Sequence, residues 1–118
     1  MKGSPIRGMD HVGVTVPDID AATRFFEAAF DAEVIYDSKP LSDPPEGGSD
    51  LEETLGVDKG TQLLAVRMLA FRYGPGVELF QMSAPTQREP TNPADFGLHH
   101  FGIYVDDMDA AVTQFEAA

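Results

Sequence analysis

The chain contains no cysteine, only eight lysines and arginines against twenty aspartates and glutamates, and no long apolar run. Without cysteine there can be no thiol nucleophile, no thiolate-held zinc, no iron–sulfur cluster and no disulfide. That usage fits a reducing compartment, and the expected location is the cytoplasm. The basic residues are scattered singly from Lys2 to Arg88 and the net charge is −12, so there is no electrostatic footprint for a phosphate backbone and no nucleic-acid partner is expected. No stretch approaches the roughly 18 apolar residues that span a bilayer, and residues 1–8 lack the apolar core of a signal peptide. No membrane association is expected. What remains is a chain of 118 residues, 42% hydrophobic, enough for one core in one small domain.

Within that chain lies an internal duplication. The segment from His11 to Ala29 aligns without a gap on His100 to Ala118, with 11 of 19 positions identical at an offset of 89 residues. In each copy an alternating run, Val12, Val14, Val16 and Phe101, Ile103, Val105, reads as a strand with one face on a core. His11, Gly13 and Thr15 share the opposite face, as do His100, Gly102 and Tyr104. Asp18 and Asp107 then stand at N-cap positions, followed by Ile19, Ala22, Phe26 and by Met108, Ala111, Phe115 at helical spacing. Each copy is therefore expected to open strand, tight turn, helix.

Between the copies, residues 33–37 read as a second strand and residues 39–49, rich in proline, glycine and acid, as an exposed loop. Residues 50–55 form one or two helical turns. Residues 61–73 are long, apolar and β-prone; Gly74-Pro75-Gly76 is a turn, and residues 77–82 return as a hairpin partner. Residues 85–95 are a polar linker. The first unit is β-α-β-β-β over about residues 8–83, and the second, starting near residue 97, stops after its helix. By the repeat offset, the counterpart of Glu78 would fall at position 167, beyond Ala118, so the second unit is expected to be incomplete within this chain.

A histidine repeated at the head of two strands, on the face away from the apolar run, points into whatever the sheet encloses and is available as a ligand. Glu78 is a charge inside the apolar strand Val77-Glu78-Leu79-Phe80-Gln81-Met82. A carboxylate there needs a partner, a metal or solvent, because unpaired burial is costly. Two imidazoles and a carboxylate suit zinc, iron(II), manganese, nickel or cobalt. Glu78 also has a plainer reading, a cross-strand pair with Arg72 over the turn. His99 is expected to face the other side of the strand from His100. Arg67 and Arg72 are read as surface charge partners, and the acidic stretch from Asp43 to Glu53 as solvated.

The motifs His11-Val-Gly-Val-Thr-Val-Pro-Asp, Gly76-Val-Glu78-Leu-Phe and His99-His100-Phe-Gly-Ile-Tyr-Val-Asp-Asp together resemble the vicinal oxygen chelate superfamily, over residues 9–118. This superfamily groups glyoxalase, epimerase, extradiol dioxygenase, fosfomycin-resistance and bleomycin-resistance proteins. The resemblance implies an α+β fold of paired βαβββ modules, the second incomplete here, and a likewise paired assembly, with a homodimer as the expectation. It further implies a divalent metal (zinc, nickel, manganese, cobalt or iron(II)) held by His11, Glu78 and His100, with a fourth ligand absent from this chain. Glu78 is the carboxylate available for catalysis, and Phe80, Met82 and Tyr104 are candidates to line a substrate cavity. The implied function is a lyase or isomerase acting on a small oxygenated metabolite. Two alternatives stay open at this point, a metal-free sequestering protein and an iron(II) dioxygenase; the retained ligand set disfavours the first.

Overall fold

A computed structural model describes residues 3–118. Its elements run β1 (His11–Thr15), α1 (Ile19–Phe30), β2 (Glu33–Lys39), α2 (Ser49–Leu55), β3 (Gln62–Ala70), β4 (Gly76–Ser83) and α3 (Met108–Ala117). The first unit is thus the expected β-α-β-β-β with a short extra helix. Its four strands form one sheet in the order β1-β4-β3-β2. β1 lies parallel to β4, while β4 and β3, and β3 and β2, are antiparallel.

Helix α1 starts where the sequence places its cap. Asp18 is extended and its carboxylate accepts the Ala21 N–H at 2.9 Å, satisfying one of the orphan donors of the first turn. The helix ends at Asp31, which adopts the left-handed conformation at φ 53°, and the next amide, of Ala32, donates back to Phe26 O at 3.3 Å. Ile19 and Phe26 of this helix pack on Val77 and Leu79 of β4 and Leu69 and Ala65 of β3, with Val12 and Val14 at the margin. The apolar alternation of β1 and β4 therefore faces α1, and the alternate residues of both strands occupy the opposite, open face.

Two close approaches hold β1 against β4. The Gly76 amide donates to Asp10 O, and the Val16 amide to Phe80 O, each at 2.8 Å. Glycine is required at 76, since a Cβ there would sit 2.6 Å from the carbonyl oxygen of Leu69. Gly76→Ala is expected to destabilise the fold by about 1–3 kcal/mol, the usual cost of forcing atoms into a packed site; an unchanged midpoint in thermal unfolding would contradict this.

The structure corrects the sequence reading at two places. β2 continues to Lys39, which is not at the edge of an exposed loop: its residue is only 4% exposed. Its ammonium donates to the carbonyls of Pro40, Asp43 and Leu64, each at 2.9 Å, so all of its N–H donors are used without a carboxylate partner. The second correction concerns residues 101–105, expected as a strand and found irregular. A strand needs a ladder partner for its amides and carbonyls, and no strand among the described residues pairs with it. Helix α3 forms regardless, because its signals are local: the Asp107 carboxylate accepts the Ala110 N–H at 3.0 Å. With no sheet of its own to cover, α3 rests on the end of α1. Gln114 donates to Ala28 O and Ala29 O, and the Phe30 and Phe115 rings meet at 5.3 Å. The resulting radius of gyration, 16.4 Å, exceeds the about 13.5 Å expected of a compact chain this long.

Candidate metal centre

The parallel pairing of β1 and β4 sets Gly13 beside Glu78 and His11 beside Gly76. His11 and Glu78 thus stand diagonally on the open face, and their side chains meet: His11 Nε2 lies 3.6 Å from Glu78 Oε1. Both are accessible from solvent, with side-chain exposures of 37% and 20%. On the same face, Phe80 follows Glu78 along β4. A Cβ on Gly13 would lie 3.4 Å from the Phe80 ring, so the absence of a side chain at 13 leaves room for the aromatic beside the pair. Met82 continues this row, opposite Leu63 of β3.

The other ring nitrogen of His11 is also engaged, since Nδ1 lies 2.7 Å from Asp10 Oδ2. This hydrogen bond is the main reason that the imidazole holds its proton above the ordinary pKa of 6.5; partial desolvation works against it and the Glu78 charge adds to it. Without metal, an imidazolium flanked by two carboxylates favours the folded state. That contribution is complete below the unfolded pKa and is lost as pH rises through the folded one. A metal needs the neutral ring, so the sign for binding is opposite. Affinity for a divalent ion is expected to fall by about tenfold per pH unit once the pH drops below the His11 pKa, one proton competing with one ion. Calorimetric titration from pH 8 to 5 checks this, and a fall that begins only below 6.5 would contradict it.

The donor set is consistent with a metal. An imidazole nitrogen and a carboxylate oxygen 3.6 Å apart are donors of the kind that would hold a divalent ion together. Glu78 does not make the plainer pair. Its register partner on β3 is Met68, and Arg72 instead lies over the Tyr73 ring at 5.4 Å. Arg67, as expected, is a charge partner, donating to Asp37 at 2.7 Å and Asp20 at 3.0 Å on the side of the sheet that carries α1.

His100 does not join the pair. Among the described residues, no three histidine or carboxylate side chains gather so as to hold a metal ion. His100 sits in the irregular segment, near the edge of β1, where it and His99 line a cleft with residues 12–15. The two histidines do not point to opposite sides as expected. Their rings meet edge to face at 4.7 Å, with 3.1 Å between the Nδ1 atoms, because alternation requires a strand and none forms. Tyr104 is likewise apart from the open face, fully exposed at the mouth of a groove between α1 and α3. Of the six residues singled out in the sequence, the structure brings together His11, Glu78, Phe80 and Met82, and separates His100 and Tyr104. Asp10 was missed. Its only signal was adjacency to His11, and an exposed aspartate in an acidic chain does not stand out.

Comparison with known proteins decides the family. Residues 10–118 match the sequence profile of the Glyoxalase/Bleomycin resistance protein/Dioxygenase superfamily. The chain belongs to this superfamily. Among curated proteins, a 2-epi-5-epi-valiolone epimerase from an Actinomyces species is 39% identical over 124 residues, an alignment that takes in 99% of this chain and 63% of the relative. The chain thus spans less than two thirds of that relative's length. Among solved structures, a glyoxalase family protein from Bacillus cereus superposes with a TM-score of 0.61 at 18% identity, covering 99% of this chain and 75% of that one. The Listeria monocytogenes fosfomycin resistance protein FosX, in a mutant form complexed with Mn(II) and 1S,2S-dihydroxypropylphosphonic acid, gives 0.52 at 17% identity, covering 95% of this chain and 64% of that one. These superpositions show the superfamily fold. No helix of the described residues is long and apolar enough to cross a membrane.

Proposed function

We propose that this chain carries one module of a divalent-metal-dependent isomerase of the epimerase type, acting on a small oxygenated metabolite. The observation that carries the reading is the approach of His11 Nε2 to Glu78 Oε1, 3.6 Å apart on a sheet face that takes no part in the α1 core. In this reading His11 and Glu78 hold the ion from the first module, and His100 is the corresponding ligand of the second. His100 reaches that role when residues 101–105 gain strand partners. The epimerase name of the curated relative, at 39% identity, supports isomerisation over the lyase and dioxygenase branches.

A bound divalent ion would supply Lewis-acid stabilisation of negative charge developing on a substrate oxygen. The protein's own groups do the rest. Glu78 would hold the ion through one carboxylate oxygen and take a proton from a substrate carbon with the other, a proton donor on the far side of the substrate returning one. Phe80 and Met82, in line with Glu78 on β4, form the apolar wall of the substrate site and limit water at the reacting carbon. An epimerase must remove a proton and return it on the opposite face, which leaves a trace in solvent. The test is to incubate the protein and Mn(II) with 2-epi-5-epi-valiolone in D₂O and follow the substrate by NMR. Deuterium entering at one carbon, with formation of the epimer, is the expected result. Epimer without deuterium, or no reaction by protein proven to hold metal, would overturn the assignment.

A further inference from the structure

Asp10 belongs to no strand and its residue is exposed, yet its backbone and its carboxylate both engage the candidate centre. Its carbonyl accepts the Gly76 amide at 2.8 Å, so its main chain is fastened to the start of the strand that carries Glu78. Its carboxylate meets His11 Nδ1 at 2.7 Å and, among the described residues, has no other side-chain ion pair. The two carboxylates flanking the imidazole are not equivalent. At 2.7 Å Asp10 makes a hydrogen bond, whereas at 3.6 Å Glu78 lies beyond hydrogen-bonding distance. The single proton of the neutral ring therefore belongs on Nδ1.

We propose that Asp10 is a positioning residue, which holds neutral His11 as the Nδ1–H tautomer and so leaves the Nε2 lone pair facing Glu78. The inference rests on the reading of His11 and Glu78 as metal ligands. A histidine ring free in water prefers its proton on Nε2, and that tautomer would turn an N–H, not a lone pair, toward the ion. A carboxylate on the far nitrogen reverses the preference and fixes the ring's rotation. Asp10 achieves this from the surface. Because its side chain is 91% exposed, its effect is expected at the weak end of the range for such partners.

The protein labelled with ¹⁵N at histidine, in wild-type, Asp10→Ala and Asp10→Asn forms, decides the matter by two-bond ¹H–¹⁵N correlation at a pH where His11 is neutral. Wild type is expected to show His11 protonated on Nδ1. Asp10→Ala should move the proton largely to Nε2, and Asp10→Asn, whose amide oxygen still accepts, should restore part of the Nδ1 form. In Mn(II) titrations Asp10→Ala should weaken binding by about tenfold, the low end of the usual loss when such a partner is removed. An unchanged tautomer in Asp10→Ala, or Mn(II) affinity within twofold of wild type while His11→Ala loses it, overturns the positioning role. Failure of wild type to bind Mn(II) would overturn the metal reading and, with it, the purpose assigned to Asp10, whatever the tautomer. The two failures are thereby distinguished.

Discussion

Replacing either His11 or Glu78 with alanine is expected to lower the affinity for Mn(II) by more than about 100-fold, beyond the 10–100-fold typical of residues that only support a ligand. Each residue supplies one of the two donors that the open face brings within 3.6 Å of each other, and removal leaves a lone donor. The double variant His11→Ala/Glu78→Ala should bind at least as weakly as the worse single variant, with losses that do not simply add because the two residues are in contact. Neither substitution should alter folding much, because both side chains lie outside the cluster that packs on α1. Elemental analysis after chelation and reloading, alongside thermal unfolding, checks both halves. Metal retained at wild-type stoichiometry in either single variant would remove the centre from this face of the sheet.

The second large effect is on stability. Leu79→Ala is expected to cost about 2–5 kcal/mol, the range for deleting most of a fully buried leucine and leaving a cavity. Leu79 is 0% exposed and sits among Ile19, Leu69 and Val77, on the strand that also bears Glu78. For a small domain with total stability of about 5–15 kcal/mol, that is a substantial fraction. Met82→Ala, on the same strand but on the open face, should cost far less, because its side chain is not enclosed by α1. Chemical denaturation of the two variants measures the asymmetry between the faces of β4. Equal losses would mean that the open face is also packed, and would remove the space claimed for a substrate.

The asymmetry is legible in the amino-acid sequence because it depends on period. Alternation along residues 11–16 and 77–82 assigns Val12, Val14, Val77 and Leu79 to one face and His11, Glu78 and Phe80 to the other, wherever the strands end up. Asp18 and Asp107 declare both helix starts for a similar reason, since a cap bonds an amide three residues away. Local signals of this kind survive even where the surroundings do not: α3 forms with its cap although it has no sheet to cover.

What the amino-acid sequence determined by itself was therefore the duplication, the two capped helices, the faces of the strands and the anomaly of Glu78 in an apolar run. Tertiary structure alone decided which residues meet. His11 and Glu78 are 67 positions apart in the chain, and only the parallel pairing of β1 with β4 turns two separate anomalies into one pair of donors. The burial of Lys39 under three carbonyls and the engagement of Asp10 with His11 likewise depend on contacts between segments or on exact side-chain placement. The reverse case is residues 101–105, whose sequence repeats the pattern of a strand. A strand is completed by another strand's amides and carbonyls, so the same pattern that yields β1 beside β4 yields an irregular segment where no strand among the described residues pairs with it, and His100 is left apart from the pair it resembles.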